Sequence, residues 1–325
     1  MKKLLFALFA AVFAVSIIGC SNSSGGDSPA EQTPPAEPTM QETPLTLEAI
    51  AAGTITLTNP WSTLKYKKNG GELVGVTASA NTIAVAAGDK VAFYADGSEN
   101  TSAITLRISC SSDCSVYGNV MSLLSSSDFK NATSISTEYA FAELFYYSDD
   151  SASIYTNTHI KNHAQKALVL PATTLAANCY NCMFRGCEGL TSAPALPATT
   201  LAEYCYAYMF LHCTSLTSAP ALPARTLAAS CYYSMFFGCT SLTSAPALPA
   251  RTLAAGCYAA MFGHCTSLAS VTCLATDISA EYCTENWLNN VASSGTFTKP
   301  STMTSWKTGA SGIPSGWKVK NYQEQ

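Results

Sequence analysis

Charge is what this chain has least of. Aspartate, glutamate, lysine and arginine make up only 12% of its 325 residues, where about a quarter is usual. Serine, threonine, asparagine and alanine must therefore cover most of the surface. The 17 basic residues are outnumbered by 21 acidic ones, giving a net charge of −4. So little positive charge leaves no electrostatic footprint for nucleic acid, and no nucleic-acid partner is expected. Histidine is scarce too, with 4 copies at His159, His163, His212 and His264. His212 and His264 share a repeat position with Gly186 and Gly238, and a general base is not exchanged for glycine between equivalent sites. No Gly-rich phosphate loop, His-Glu-x-x-His or Gly-x-Ser-x-Gly is present. The chain reads as a non-enzyme, with no catalytic residue, no cofactor and no metal site expected.

The sequence opens Met1-Lys2-Lys3, followed by an apolar run of 15 residues at 4–18 broken only by Ser16. That length suits a signal peptide and falls short of the roughly 20 residues a helix needs to span a bilayer. The run ends Ile17-Ile18-Gly19-Cys20, which resembles the lipobox of bacterial lipoproteins. The resemblance implies that residues 1–19 are removed and that Cys20 carries lipid. The alternative is an ordinary signal peptide with a chance cysteine. Residues 20–43 are rich in Ser, Gly, Pro, Glu and Gln, too polar to offset chain entropy by burial, and are expected to form a disordered tether. The protein is thus expected to be exported and lipid-anchored at the outer membrane or cell surface, with a periplasm-facing orientation as the alternative. Membrane contact is expected through the lipid alone.

The centre of the chain repeats. Leu170-Pro171-Ala172-Thr173-Thr174-Leu175-Ala176 leads through Cys179-Tyr180, Met183-Phe184 and Cys187 to Leu190-Thr191-Ser192-Ala193-Pro194. The same words return from Leu196, Leu222 and Leu248, a period of 26 residues. A worn fifth copy starts at Leu274, keeps Cys283 and has Trp287-Leu288 in place of Met-Phe. A fixed period of this size is the signature of a stacked array. Within one copy Leu201, Cys205, Met209 and Cys213 are spaced by four, which predicts a short helix with its apolar stripe inward. Ala219-Pro220-Ala221-Leu222-Pro223 predicts an extended segment, because a residue before proline is pushed away from the helical region. Prolines at 194, 220 and 246 each remove a ladder donor, so any parallel strand must be very short.

Phe210, Cys213-Thr214-Ser215-Leu216-Thr217-Ser218 and Pro223 carry a resemblance to the BspA-like leucine-rich repeats of bacterial surface lipoproteins. It covers about residues 139–299. The repeat here is longer than the commoner form, and Ala-Pro-Ala-Leu-Pro stands where Ile-Thr-Ile-Pro is usual. The resemblance implies an α+β solenoid, a short helix plus a short parallel strand per repeat, and a role in adhesion.

Before the repeats, the period changes to two. Thr54-Ile55-Thr56-Leu57-Thr58, Thr82-Ile83-Ala84-Val85 and Lys90-Val91-Ala92-Phe93-Tyr94 alternate, with Asn69-Gly70-Gly71 and Ala87-Gly88-Asp89 as turn signals. A small antiparallel β-domain is expected there, the alternative being an elaborate cap on the array. The β-rich module and its connection span residues 44–138. A degenerate capping repeat with an insertion follows at 139–169, where Tyr139-Ala140-Phe141-Ala142-Glu143-Leu144-Phe145 matches Cys-Tyr-x-x-Met-Phe in shape. Four clear repeats fill 170–273, and the fifth repeat with a C-terminal cap fills 274–325. Trp287, Trp306 and Trp317 suit the covering of a last apolar layer, or alternatively a carbohydrate platform.

Cysteine is abundant, with 14 copies. Most fall in two columns, Cys179, Cys205, Cys231, Cys257 and Cys283, and Cys187, Cys213, Cys239 and Cys265. A column spreads its members one per coil, whereas zinc needs four convergent ligands. Structural thiols are the favoured reading, with disulfides or redox chemistry as alternatives. Cys110 and Cys114 form either a small disulfide loop or two thiols.

Candidate ligand-binding residues are Thr173, Thr199, Arg225 and Arg251, one column just after the extended segment. They offer a hydrogen-bonding strip for an acidic or glycan-bearing ligand, or else a solvated edge. The tyrosines at 180, 206, 232 and 258 form either an exposed aromatic row or packing between coils. The expected function is recognition of a protein or glycoprotein, such as host matrix glycoproteins or neighbouring cells, with a periplasmic scaffold as the rival.

Overall fold

A computed structural model describes residues 39–146 and 157–323. Cys20, the segment before it and the tether as far as residue 38 lie outside these, as does the part of the inserted loop at 147–156.

The first 80 or so described residues build two sheets. Strands β1 (Thr46–Ala49), β2 (Gly53–Thr58), β3 (Lys65–Lys68), β4 (Leu73–Gly75), β5 (Thr82–Val85), β6 (Lys90–Tyr94), β7 (Arg107–Cys110) and β8 (Cys114–Asn119) follow the alternating stretches. One sheet has the order β5-β2-β7, the other β8-β1-β6-β3-β4, all antiparallel. Ile55, Leu57, Ile83, Val91, Phe93 and Ile108 point between them, as a period of two requires when one face of each sheet is buried. Residues 39–43, counted with the tether from sequence, are held by this body. The Asn119 side chain donates to Gln41 O (3.0 Å), and Asn119 N–H donates to Thr43 O (2.8 Å).

The expected separation of this module from the repeats is corrected. β8 is buried along its whole length because it is not an edge. Its far side pairs in parallel with β9 (Ile160–Asn162) and β10 (Leu168–Val169), which belong to the connection into the first clear repeat. One hydrophobic cluster runs without interruption from Leu45 to Trp317. The β-layers are the amino-terminal cover of the array.

The expected helix in each repeat is absent, and this is the larger correction. In its place each coil carries a ribbon of consecutive turns. Asn181 N–H donates to Asn178 O (3.1 Å), Met183 N–H to Tyr180 O (3.2 Å) and Arg185 N–H to Cys182 O (3.0 Å). The amides between them point along the stack instead. Tyr180, Cys182, Phe184 and Gly186 donate to Cys205, Ala207, Met209 and Leu211 of the next coil at 2.7–3.0 Å. Every fourth residue is left-handed, as at Asn178, Cys182 and Gly186. The spacing of four explains the choice. On an α-helix, side chains four apart drift by about 40° per step, so a third inward residue begins to leave the core. The turn ribbon has a period of four, so Cys179, Met183 and Cys187 all stay inside. It also leaves half the amides free to join coils, which a helix would use internally.

The expected strand in each repeat is corrected as well. The Ala-Pro-Ala-Leu-Pro segments carry no ladder, and coils meet there through isolated bridges at the flanking residues, such as Ser192 with Ser218 and Thr174 with Thr200. Proline removes the donors a ladder needs. Beyond the pairing of β8 with β9 and β10, a parallel ladder forms at the far end, where the prolines of the repeat stop, among β11 (Ser270–Thr272), β12 (Thr296–Lys299) and β13 (Lys318–Asn321).

Ring columns fill the interior. Phe141, Tyr180, Tyr206, Tyr232 and Tyr258 stack with centroids 5.5–6.0 Å apart, and Phe145, Phe184, Phe210, Phe236 and Phe262 do so at 5.4–5.6 Å. The segment around Phe141 is thus a full member of the stack, with Phe141 N–H donating to Cys179 O (2.7 Å). In the fifth coil Thr284 takes the tyrosine position, and Trp287 reaches across from the methionine position to stack on Tyr258 at 6.2 Å. Among the described residues no helix is long and apolar enough to cross a membrane.

Candidate functional site

The column proposed from sequence lies along one edge of the stack. Thr173 and Thr199 are exposed, and Thr199 N–H donates to Thr173 O (3.1 Å), so the two hydroxyls lie on adjacent coils. Arg225 and Arg251 line the same shallow cleft of about 330 Å³, with Thr226 and Thr252 beside them. Arg251 is half-buried; its guanidinium donates to Leu274 O (3.3 Å), and its carbonyl accepts from Thr276 and Asp277 of the fifth coil. Arg225 is exposed and makes no hydrogen bond or ion pair with any of the described residues. The strip therefore offers one free guanidinium, one partly engaged guanidinium and a row of hydroxyls. That chemistry suits a carboxylate or a hydroxyl-rich ligand. Ala195, Ala221 and Ala247, on the neighbouring extended segments, are exposed and chemically bland.

The four tyrosines at 180, 206, 232 and 258 are 1% exposed and are packing, not a sticky row. A different aromatic ridge is at the surface. Tyr204, Tyr208 and His212 occupy all three left-handed positions of one coil, with φ of 53°, 58° and 58°. Bulky residues are uncommon there because of steric crowding with the backbone. Tyr208 packs edge-on to Tyr233 (5.2 Å), His212 to Phe237 (5.7 Å), and Phe237 in turn meets His264 (4.8 Å). No single copy of the repeat signals this ridge, since its members come from alternating columns.

All 13 cysteines among the described residues are buried thiols. Those of one column tie coils together. Cys213, Cys239 and Cys265 donate through sulfur to the carbonyls of Phe184, Phe210 and Phe236, each one coil back, at 3.0–3.1 Å. Burial pushes these thiols up, Cys265 to about 12. Cys110 ends β7 and Cys114 begins β8, at the corner where the chain crosses from one sheet to the other. A hydrogen bond between the two raises Cys110 and lowers Cys114. Beside them His159 Nδ1 lies 2.9 Å from Asp113 Oδ1. Among the described residues no group of three or more His, Cys, Asp or Glu side chains could hold a metal ion.

Trp287 and Trp317 are 0% and 7% exposed and close the last layer, while Trp306 is half-buried. Compared with family models, curated proteins and solved structures, the chain matches none.

Proposed function

We propose that this chain is a lipid-anchored bacterial surface protein, akin to the BspA-like surface lipoproteins, that recognises a protein or glycoprotein through the outer edge of its repeat stack. The observation that carries the reading is the register of the coils. Because each coil bonds to the next at the same positions, any outward residue type recurs as a row, and the row through Thr173, Thr199, Arg225 and Arg251 is polar and open at Arg225. Repeat arrays use such extended surfaces for binding. The sequence Ile17-Ile18-Gly19-Cys20 after a short apolar run supports export and anchoring through Cys20.

Two measurements test it. Protease shaving of intact cells should release most of the chain by cutting ahead of residue 39, since an outward-facing tether is open to cleavage. Protection until the outer envelope is broken would instead favour a periplasmic scaffold. The purified protein, titrated against a panel of matrix glycoproteins, should lose affinity for its ligand at least tenfold in the Arg225→Ala/Arg251→Ala double variant. Unchanged affinity would clear the strip.

A further inference from the structure

The column of stacked rings that runs through the protein does not stop at Tyr258. It continues to Trp287 (6.2 Å, 19° between planes) and from there to Trp306 (5.4 Å, 8°). Phe297 stands edge-on to both indoles, at 5.9 and 5.2 Å. Trp306 thus has one face against Trp287 and an edge against Phe297, and among the described residues no ring stacks on its other face. The indole is half-buried and lines a cleft of about 580 Å³ between the fifth coil and the closing segment. That volume is in the range of small-molecule sites.

Trp306 also differs from the other tryptophans in how it is held. Trp61 donates its indole N–H to Asn100 Oδ1 (2.7 Å), Trp287 to Gly312 O (2.8 Å) and Trp317 to Ala292 O (2.8 Å). The Trp306 N–H has no acceptor among the described residues. Its indole is held by packing against Trp287 and Phe297 and not by a hydrogen bond. Around it the cleft is polar and mixed in charge. Glu285, Lys307, Thr284 and Ser305 line it, and Tyr282, 62% exposed, stands at its rim.

A flat apolar face at the bottom, hydroxyls and both charges at the wall, and an exposed tyrosine at the mouth match one ligand chemistry. A pyranose ring has an apolar C–H face and an equatorial fringe of hydroxyls. An aromatic hydrocarbon would leave the polar wall without partners, which is costly when those groups are desolvated. We propose that the cleft binds one pyranose ring of a glycan, its C–H face laid on Trp306 as the next member of the ring column. Glu285 accepts from sugar hydroxyls, Lys307 donates to them, and Tyr282 packs against the ring's side. The inference does not rest on the arginine strip, which lies on other coils.

The test uses the purified full-length protein and a panel of methyl glycosides of glucose, galactose, mannose and N-acetylglucosamine. Binding is read by saturation-transfer NMR and by tryptophan fluorescence. At least one glycoside should bind with Kd on the order of 1 mM, as a single-ring ligand does, and should perturb the fluorescence. Trp306→Ala should weaken binding at least tenfold. Because that change removes a stacked ring from the cap, Tyr282→Ala, at an exposed position, is the second variant, and a threefold or greater loss is expected with an unaltered melting curve. Arg225→Ala/Arg251→Ala should leave sugar binding unchanged, which separates this site from the repeat strip. Absence of binding across the panel, or binding unaffected by both aromatic variants, would overturn the proposal.

Discussion

The imidazole of His212 lies over the bare Cα of Gly238 one coil away, so close that a Cβ added there would sit 2.3 Å from His212 Nδ1. The glycine meets two demands at once. Its own φ is +73°, in the left-handed region that side chains avoid, and its missing side chain makes room for the ring. Gly263 meets the second demand alone, making room for Phe237, whose ring would lie 2.8 Å from an added Cβ. Gly238→Ala should therefore destabilise the protein by about 2–4 kcal/mol, part from the backbone and part from overpacking. In the His212→Gly background the same change should cost only about 1 kcal/mol, the backbone part. Denaturant unfolding of the four proteins measures the difference. Equal penalties in both backgrounds would show that the ring does not matter.

Cys239 is held at a position that needs a small donor, since its sulfur bonds to Phe210 O at 3.1 Å across the coil boundary. Cys239→Ala should cost about 1–2 kcal/mol, from a lost hydrogen bond and a small void. Cys239→Ser keeps the donor and should cost less than Ala. The reverse order in thermal melts would mean that the column is there for apolar volume.

The interior thiols and tyrosines also set a pH limit. Burial raises Cys205, Cys257 and Cys273 from 9.0 to about 12, and raises the tyrosines at 206, 232 and 258 above their ordinary value of 10.0. Between about pH 9 and 12 the unfolded chain loses protons that the folded chain keeps, so the unfolded state binds fewer protons and stability falls as pH rises. The protein should melt at an unchanged temperature up to about pH 8.5 and lose stability steeply above pH 9. A flat melting profile to pH 11 would contradict burial of the columns.

The fifth coil exchanges two residues for one large one, with Thr284 where tyrosine recurs and Trp287 where methionine recurs. Trp287→Met should leave the end of the ring column empty and cost about 3–5 kcal/mol, as deletion of a buried aromatic does. Thr284→Tyr in that background restores the consensus pair and should recover about half of the loss. No recovery in calorimetry would show that the column's end is shaped by the cap and not by the repeat.

Much of this was legible in the residues and some was not. The period of 26, the inward columns and the disguised copy around Phe141 could be read because each position recurs with the same chemistry. The strands near Ile55 and Phe93 could be read because one face is apolar. The turn ribbon could not be read along a single copy, since Leu201, Cys205, Met209 and Cys213 at a spacing of four suit a helix as well. Its signal runs down the columns instead. The left-handed positions collect Asn178, Gly186, Gly238, Gly256, Asn286 and Asn290, the residue types that tolerate them, while Tyr204, Cys182 and Ala260 at equivalent places hide the pattern. Of the candidate site, the rows through Thr173 and Arg225 could be named but not their engagement, because Arg251 is turned to Leu274 by a contact 23 residues away. The Trp306 cleft depends on residues 305–311 folding back over residues 276–285, a closure with no local signature.

Amides directed along the stack have one more consequence, at its far end. The fifth coil would present a row of unpaired donors to solvent, and the closing segment covers them: Ser311 Oγ accepts from Asn286 N–H (2.9 Å) and Ala310 O from Leu288 N–H (3.1 Å). Without residues 305–323 those donors would be open to carbonyls from another chain. Hydrogen bonds of this orientation are those that elongate amyloid-like fibrils. The closing segment thus does for the end of the array what a covered edge does for a sheet, giving the last coil's amides acceptors from its own chain.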